Sequence, residues 1–205
     1  MHGTAATALA ALLIAGCATD INRINASRYY ETGLAFEARK QYEQAREAYW
    51  RALVNYRSAG GPQNAISAAT YNLGRMTGLT CNFPLAEQFL QEALNVEEQL
   101  PSPEPGNITK RLGELANISF ALGKFEQSAA FYERAVPRLE QLGIIQDDPI
   151  GYALYLDGYA NALDKARQAT KSAEIRRRAI SIREQSPLNT ARFTPVYYHT
   201  VCSGK

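Results

Sequence analysis

Small residues recur at fixed offsets four times along this chain. Gly33, Gly74, Ala116 and Ala160 each stand twelve residues before a second small residue: Ala45, Ala86, Ser128 and Ser172. Seven residues further on comes an alanine in every case: Ala52, Ala93, Ala135 and Ala179. A long period with small residues at set places is what stacked helical hairpins require. Each hairpin cannot bury its apolar face alone and must cover it with its neighbours. A generic helical bundle does not explain the fourfold register.

The first unit shows how the pattern folds. Tyr29, Gly33 and Phe36 are four and three residues apart and share one face of a helix. After a turn near Lys40, Tyr42, Ala45, Tyr49 and Ala52 share a face of a second helix. Gly33 and Ala45 are small so that two helix backbones can approach. Larger residues on either side reach the next hairpin. This pattern resembles the tetratricopeptide repeat: an aromatic or Leu, then Gly or Ala, then Ala-x3-aromatic-x2-Ala. The second unit carries it as Leu73-Gly74 with Ala86, Leu90 and Ala93, and the third as Leu115-Ala116, Gly123 and Phe125 with Ser128, Tyr132 and Ala135. The fourth runs Tyr159-Ala160, Leu163, Ser172 and Ala179, with Arg176 where an aromatic is expected. A terminal repeat tolerates that departure, because no further hairpin covers it.

The units are longer than the usual repeat of about 34 residues. Gly33 to Gly74 is 41, Gly74 to Ala116 is 42 and Ala116 to Ala160 is 44. The surplus lies in Gly- and Pro-containing stretches at 58–62, 100–106 and 142–149, which stop helices and build turns. The lengthened unit resembles the kinesin-light-chain-like variety of the repeat. The resemblance covers residues 24–185 and implies an all-α, right-handed α-solenoid of about four helix-turn-helix repeats.

The N-terminal end has another character. Residues 5–16 carry no charge and lead into Cys17, the junction reading Leu13-Ile14-Ala15-Gly16-Cys17. The stretch has the length of a signal-peptide core and falls short of the ~20 apolar residues that span a bilayer. The motif resembles the lipobox of bacterial lipoproteins, although the region before the apolar core, Met1-His2-Gly3-Thr4, lacks the usual Lys or Arg. The resemblance implies a signal peptide at 1–16, lipidation at Cys17 and a lipidated terminus and linker at 17–23. Two or three acyl chains would hold the protein at a membrane where one would not. Ala18, in place of an Asp, points to an outer-membrane lipoprotein facing the periplasm. In that oxidising compartment the remaining pair, Cys81 and Cys202, is open to a disulfide, and their spacing does not decide between a bond and two free thiols. Residues 186–205 form a tail outside the repeats. Pro187 ends the last helix, and Phe193, Val196, Tyr197 and Tyr198 make an aromatic, β-branched run. Such a run is costly to leave in water and is expected to dock, either over the open end of the solenoid or along its groove.

Several functions lack material. The chain has 205 residues, a net charge of +2 and two histidines, His2 and His199. That balance offers no basic excess for nucleic acid, and Arg176-Arg177-Arg178 points in three directions on a helix. A His-based metal site and a Ser-His-Asp constellation are both short of ligands. No phosphate loop and no facing pair of carboxylates appears, so neither an enzyme nor a cofactor is expected.

In tetratricopeptide domains the first helices of the hairpins line a concave surface that holds peptides. Carried over residue by residue, the resemblance places Tyr30, Glu31 and Leu34 of unit one on that groove. Tyr71, Asn72 and Arg75 follow in unit two, Lys110, Glu114 and Asn117 in unit three, and Asp157, Asn161 and Asp164 in unit four. Asn72, Asn117 and Asn161 are the candidates for clamping a peptide backbone, since an amide both donates and accepts. The expected function is a lipid-anchored adaptor that binds a protein segment in this groove and helps assemble or retain a cell-envelope complex. The alternative is a structural accessory of an envelope enzyme, transporter or secretion or pilus system whose groove is filled by its own tail.

Overall fold

A computed structural model describes the backbone of residues 4–203 and the side chains of residues 19–203. Cys17 and the apolar core before it therefore lie outside the residues whose side chains are described. Eight long helices form four antiparallel pairs: α1 (Thr4–Ala38) with α2 (Tyr42–Ser58), α3 (Gln63–Leu79) with α4 (Phe83–Glu98), α5 (Pro105–Ala121) with α6 (Phe125–Gln141), and α8 (Pro149–Lys165) with α9 (Ala169–Gln185). A single turn, α7 (Ile144–Asp147), bridges α6 and α8, and another, α10 (Tyr198–Val201), lies in the tail. Each second helix packs on the first helix of the next pair, α2 on α3, α4 on α5 and α6 on α8. The result is an all-helical repeat solenoid, and no strand occurs among the described residues.

All four hairpins turn at one register. The residue seven places after each first-helix small residue has a positive φ: Lys40 at 58°, Cys81 at 69°, Gly123 at 74° and Arg167 at 61°. This left-handed position closes a helix, and only unit three fills it with the residue that adopts it most freely. Prolines mark the helix starts, with Pro62 just before α3 and Pro105 and Pro149 as the first residues of α5 and α8. A proline there gives up only an N–H that has no partner within the helix.

The small residues serve two kinds of contact. A Cβ built on Gly33 would stand 2.6 Å from the Tyr49 ring, and one on Gly74 would stand 2.8 Å from Leu90. In these units the large residue of the second helix presses onto a bare first helix. In units three and four the helices instead bond across the same crossing. Ser128 Oγ donates to the Ala116 carbonyl at 2.7 Å, and Ser172 Oγ donates to the Ala160 carbonyl at 3.0 Å. These serines replace the Ala45 and Ala86 of the first two units and are as deeply buried.

Units two and three share a polar core. Arg111 and Glu97, both almost fully buried, pair at 3.0 Å, and Ser67 lies between them, 2.8 Å from the guanidinium and 3.0 Å from the carboxylate. Burial lowers the Arg111 pKa, with Glu97 opposing it. A charge this far from water persists only where such partners surround it.

Candidate functional site: the first-helix face and its tail

The tail runs back over the first helices. Asp148 caps α8 by accepting from the Gly151 N–H at 2.9 Å, and the same carboxylate accepts from the backbone N–H of Arg192 at 3.1 Å and of Phe193 at 2.8 Å. Tyr197 donates to the Leu154 carbonyl of α8 at 2.9 Å. Tyr198 is fully buried and donates to Glu114 of α5. Its ring fills the space a side chain at Gly78 would need, since a Cβ there would lie 2.6 Å from the ring and 2.9 Å from Ile118. His199 packs against Phe120 with the rings tilted and 4.9 Å between centroids. Cys202 then joins Cys81 in a disulfide at the turn between α3 and α4, with 5.8 Å between their α-carbons. The tail thus crosses units four, three and two in reverse order, and the face they would offer a partner is partly covered.

A chain of charged and phenolic groups runs from unit one to the tail. Tyr49 donates to Glu37 at 2.9 Å, and Arg75 reaches Glu37 at 2.6 Å and Glu114 at 3.3 Å. Tyr198 completes the chain on the second oxygen of Glu114. Burial raises the Glu114 pKa, while Arg75 and the Tyr198 hydroxyl favour its charged form. Burial also works against the Arg75 charge, but Glu114, Tyr71 and Glu37 outweigh it and its pKa rises. Burial likewise holds the Tyr198 phenol neutral, well above its ordinary range. The Tyr71 ring packs between two guanidiniums, 5.0 Å from Arg111 and 5.7 Å from Arg75. Units one, two and three and the tail are therefore tied by one network.

The residues expected to line a peptide groove meet several fates. Glu31 and Leu34 of unit one are exposed, and Tyr30 is half-buried. Tyr71, Arg75, Lys110, Glu114 and Asn117 come together around a hollow beside the tail. The three asparagines do not form a common clamp. Asn72 is buried and donates to the Tyr30 hydroxyl at 3.0 Å. Asn117 is buried and accepts from the Tyr132 hydroxyl at 2.6 Å. Asn161 is exposed and accepts from Arg176 at 2.8 Å. Asn117 and Asn161 each bond to the side chain fifteen residues on, in the position the repeat reserves for an aromatic. The reason is local: in units three and four the residue after the small one faces its own second helix. In units one and two it does not, since Leu34 is exposed and Arg75 reaches Glu37 and Glu114 of the neighbouring units. Arg176, which departs from the pattern, bonds to Asn161 as Tyr132 does to Asn117, and it also pairs with Asp164 at 2.6 Å. Asp157 pairs with Arg183 of α9, so it too serves its own hairpin.

Three participants escape the sequence reading. Glu37 looks like a surface residue at a helix end, yet it joins Tyr49 to Arg75. Gly78 looks like a helix weakness, yet it seats Tyr198. Asp148 looks like a helix cap alone, yet it also holds two tail amides, from residues 44 and 45 positions away. Among the described residues no cluster of His, Cys, Asp and Glu could hold a metal ion. No helix among them is long and apolar enough to cross a membrane.

No family model matches the chain, and no curated protein does. Solved structures do. The crystal structure of BtubC (BKLC) from P. vanneervenii aligns with a TM-score of 0.71 at 18% identity, over 83% of this chain and 69% of that one. A kinesin-light-chain-like structure of nearly identical TPR-like repeats from Podosopora anserina aligns with a TM-score of 0.62 at 16% identity, over 80% and 77%. At such identities the likeness is one of architecture. The chain has the fold of a tetratricopeptide-like repeat solenoid.

Proposed function

We propose that this protein is a protein–protein interaction adaptor. It is held at a bacterial outer membrane by lipid on Cys17, faces the periplasm and acts without catalysis. Its repeat fold is that of proteins built to present an extended face, and the lipobox-like Leu13–Cys17 supports the anchor. The observation that carries the reading is the division of the first-helix face. Glu31 and Leu34 of unit one remain exposed, while the tail covers units two to four. A partner segment would engage the unit-one end. The docked tail also favours the second reading, a structural accessory of an envelope machine whose groove its own tail fills.

Cross-linked capture from intact envelopes tests both readings. Three full-length forms are compared: wild type, the double variant Glu31→Lys with Leu34→Glu, and Cys202→Ser. A protein captured by wild type and lost in the double variant supports the adaptor reading. A protein captured only by Cys202→Ser supports a self-filled face. Equal capture by all three moves the interface to the convex side and overturns the assignment to the first-helix face.

A further inference from the structure

The far end of the tail, residues 198–203, has one buried anchor. Tyr198 is fully buried against Gly78 and Ile118 and donates to Glu114. His199 packs on Phe120 yet stays exposed, and Thr200, Val201 and Ser203 are exposed as well. The backbone bonds of this stretch stay within the tail. The N–H groups of Thr200 and Val201 donate to the Tyr197 carbonyl, and that of Cys202 donates to the Tyr198 carbonyl. The tail before it has a separate hold on unit four, where Asp148 accepts from the N–H groups of Arg192 and Phe193 and the Leu154 carbonyl accepts from Tyr197.

Ordering one residue costs about as much as one hydrogen bond returns. One buried ring and one bond to a carboxylate therefore do not hold the whole stretch in place. A single helical turn such as α10 does not persist alone either. The Cys81–Cys202 bond supplies what is missing, because it confines the end of the tail beside its site and so raises the local concentration of Tyr198 there. The bond is also open to attack. Cys81 sits at the hairpin turn, in the register that leaves Lys40, Gly123 and Arg167 exposed, and both cysteines keep part of their surface in solvent.

We propose that the Cys81–Cys202 bond is a thiol-operated latch on the first-helix face. The reductant is a dithiol. One of its thiolates attacks a sulfur of the pair, forms a mixed disulfide and releases the other cysteine. Its second thiol then closes on the first and releases the remaining cysteine. The dithiol ends as a disulfide, and its two electrons and two protons leave Cys81 and Cys202 as thiols. Residues 198–203 then come away, and Tyr198 vacates the slot over Gly78 and Ile118. Arg192 and Phe193 stay on Asp148. The face of units two and three opens beside that of unit one. Use of the widened face by a partner rests on the adaptor reading; the latch itself stands without it.

The test is hydrogen–deuterium exchange of the full-length protein before and after treatment with dithiothreitol. Reduction should speed exchange at Thr200, Val201 and Cys202 by roughly tenfold or more, because their bonds lie within α10 alone. Exchange at Arg192 and Phe193 should not change, and reoxidation should restore the starting pattern. Cys202→Ser should show the open pattern without reductant, ignore dithiothreitol and keep the helicity of wild type. Protection at 200–202 that survives complete reduction overturns the proposal. So does a bond that dithiothreitol cannot reach until urea unfolds the repeats, or a loosening shared equally by all helices. No partner enters the experiment, so failure of the adaptor reading and failure of the latch are told apart.

Discussion

Glu31 and Glu114 occupy equivalent places, each two residues before the small residue of its first helix, and their fates are opposite. Glu31 stands in solvent on unit one. Glu114 is buried on unit three, with Arg75 on one oxygen and the Tyr198 hydroxyl on the other. The same contrast holds six residues further on. Glu37 of unit one turns toward Tyr49 and Arg75, while Gly78 and Phe120, its counterparts in units two and three, lie beneath Tyr198 and His199. The repeat sets which way a side chain points. On units two and three the tail, which belongs to no repeat, covers that direction, whereas on unit one Glu31 meets water and Glu37 meets Arg75 of the next repeat.

That contrast can be broken most strongly at Tyr198. Replacing it with Ala removes a fully buried ring and leaves Glu114 without its phenol, and should cost about 3–5 kcal/mol. Urea unfolding measures the loss, and Tyr30→Ala on half-buried unit one should cost clearly less. A smaller effect is expected at Gly78. Ala there would drive a methyl group into the Tyr198 ring and Ile118, at about 1–3 kcal/mol, read from the same unfolding curves.

The smallest effect is one of pH. Burial lowers the His199 pKa below 6.5, so the folded state resists its protonation. As pH falls through 6.5 the unfolded chain takes up the proton first, and stability is lost until the lower folded pKa is passed. The thermal midpoint of wild type should therefore drop slightly more than that of His199→Gln between pH 8 and pH 5.5. Equal drops would detach His199 from the tail's docking.

The repeat architecture was legible because its signal is local. Small residues twelve and seven apart mark helix crossings, and each is buried where its helix pair crosses. The site was less legible because its contacts are long-range or ambiguous. Asn117 and Asn161 stood in the right helices, but an amide beside a groove and an amide bonded to its own hairpin look alike in sequence. The offset of fifteen to Tyr132 and Arg176 was a usable signal. The docking of the tail was foreshadowed by its aromatics, but its path was not. That path depends on Asp148, Glu114, Gly78 and Cys81, four residues spread over three units.

The tail covers part of the first helices of units two to four and leaves unit one open. Hydrogen–deuterium exchange tests it most directly, comparing the full-length disulfide-bonded protein with the full-length Cys202→Ser variant carrying Tyr198→Ala. Faster exchange at residues 74–80, 113–120 and 150–158, well beyond any rise at residues 30–37, is the result predicted. Unchanged exchange at 74–80 and 113–120, or an equal rise at 30–37, would contradict it.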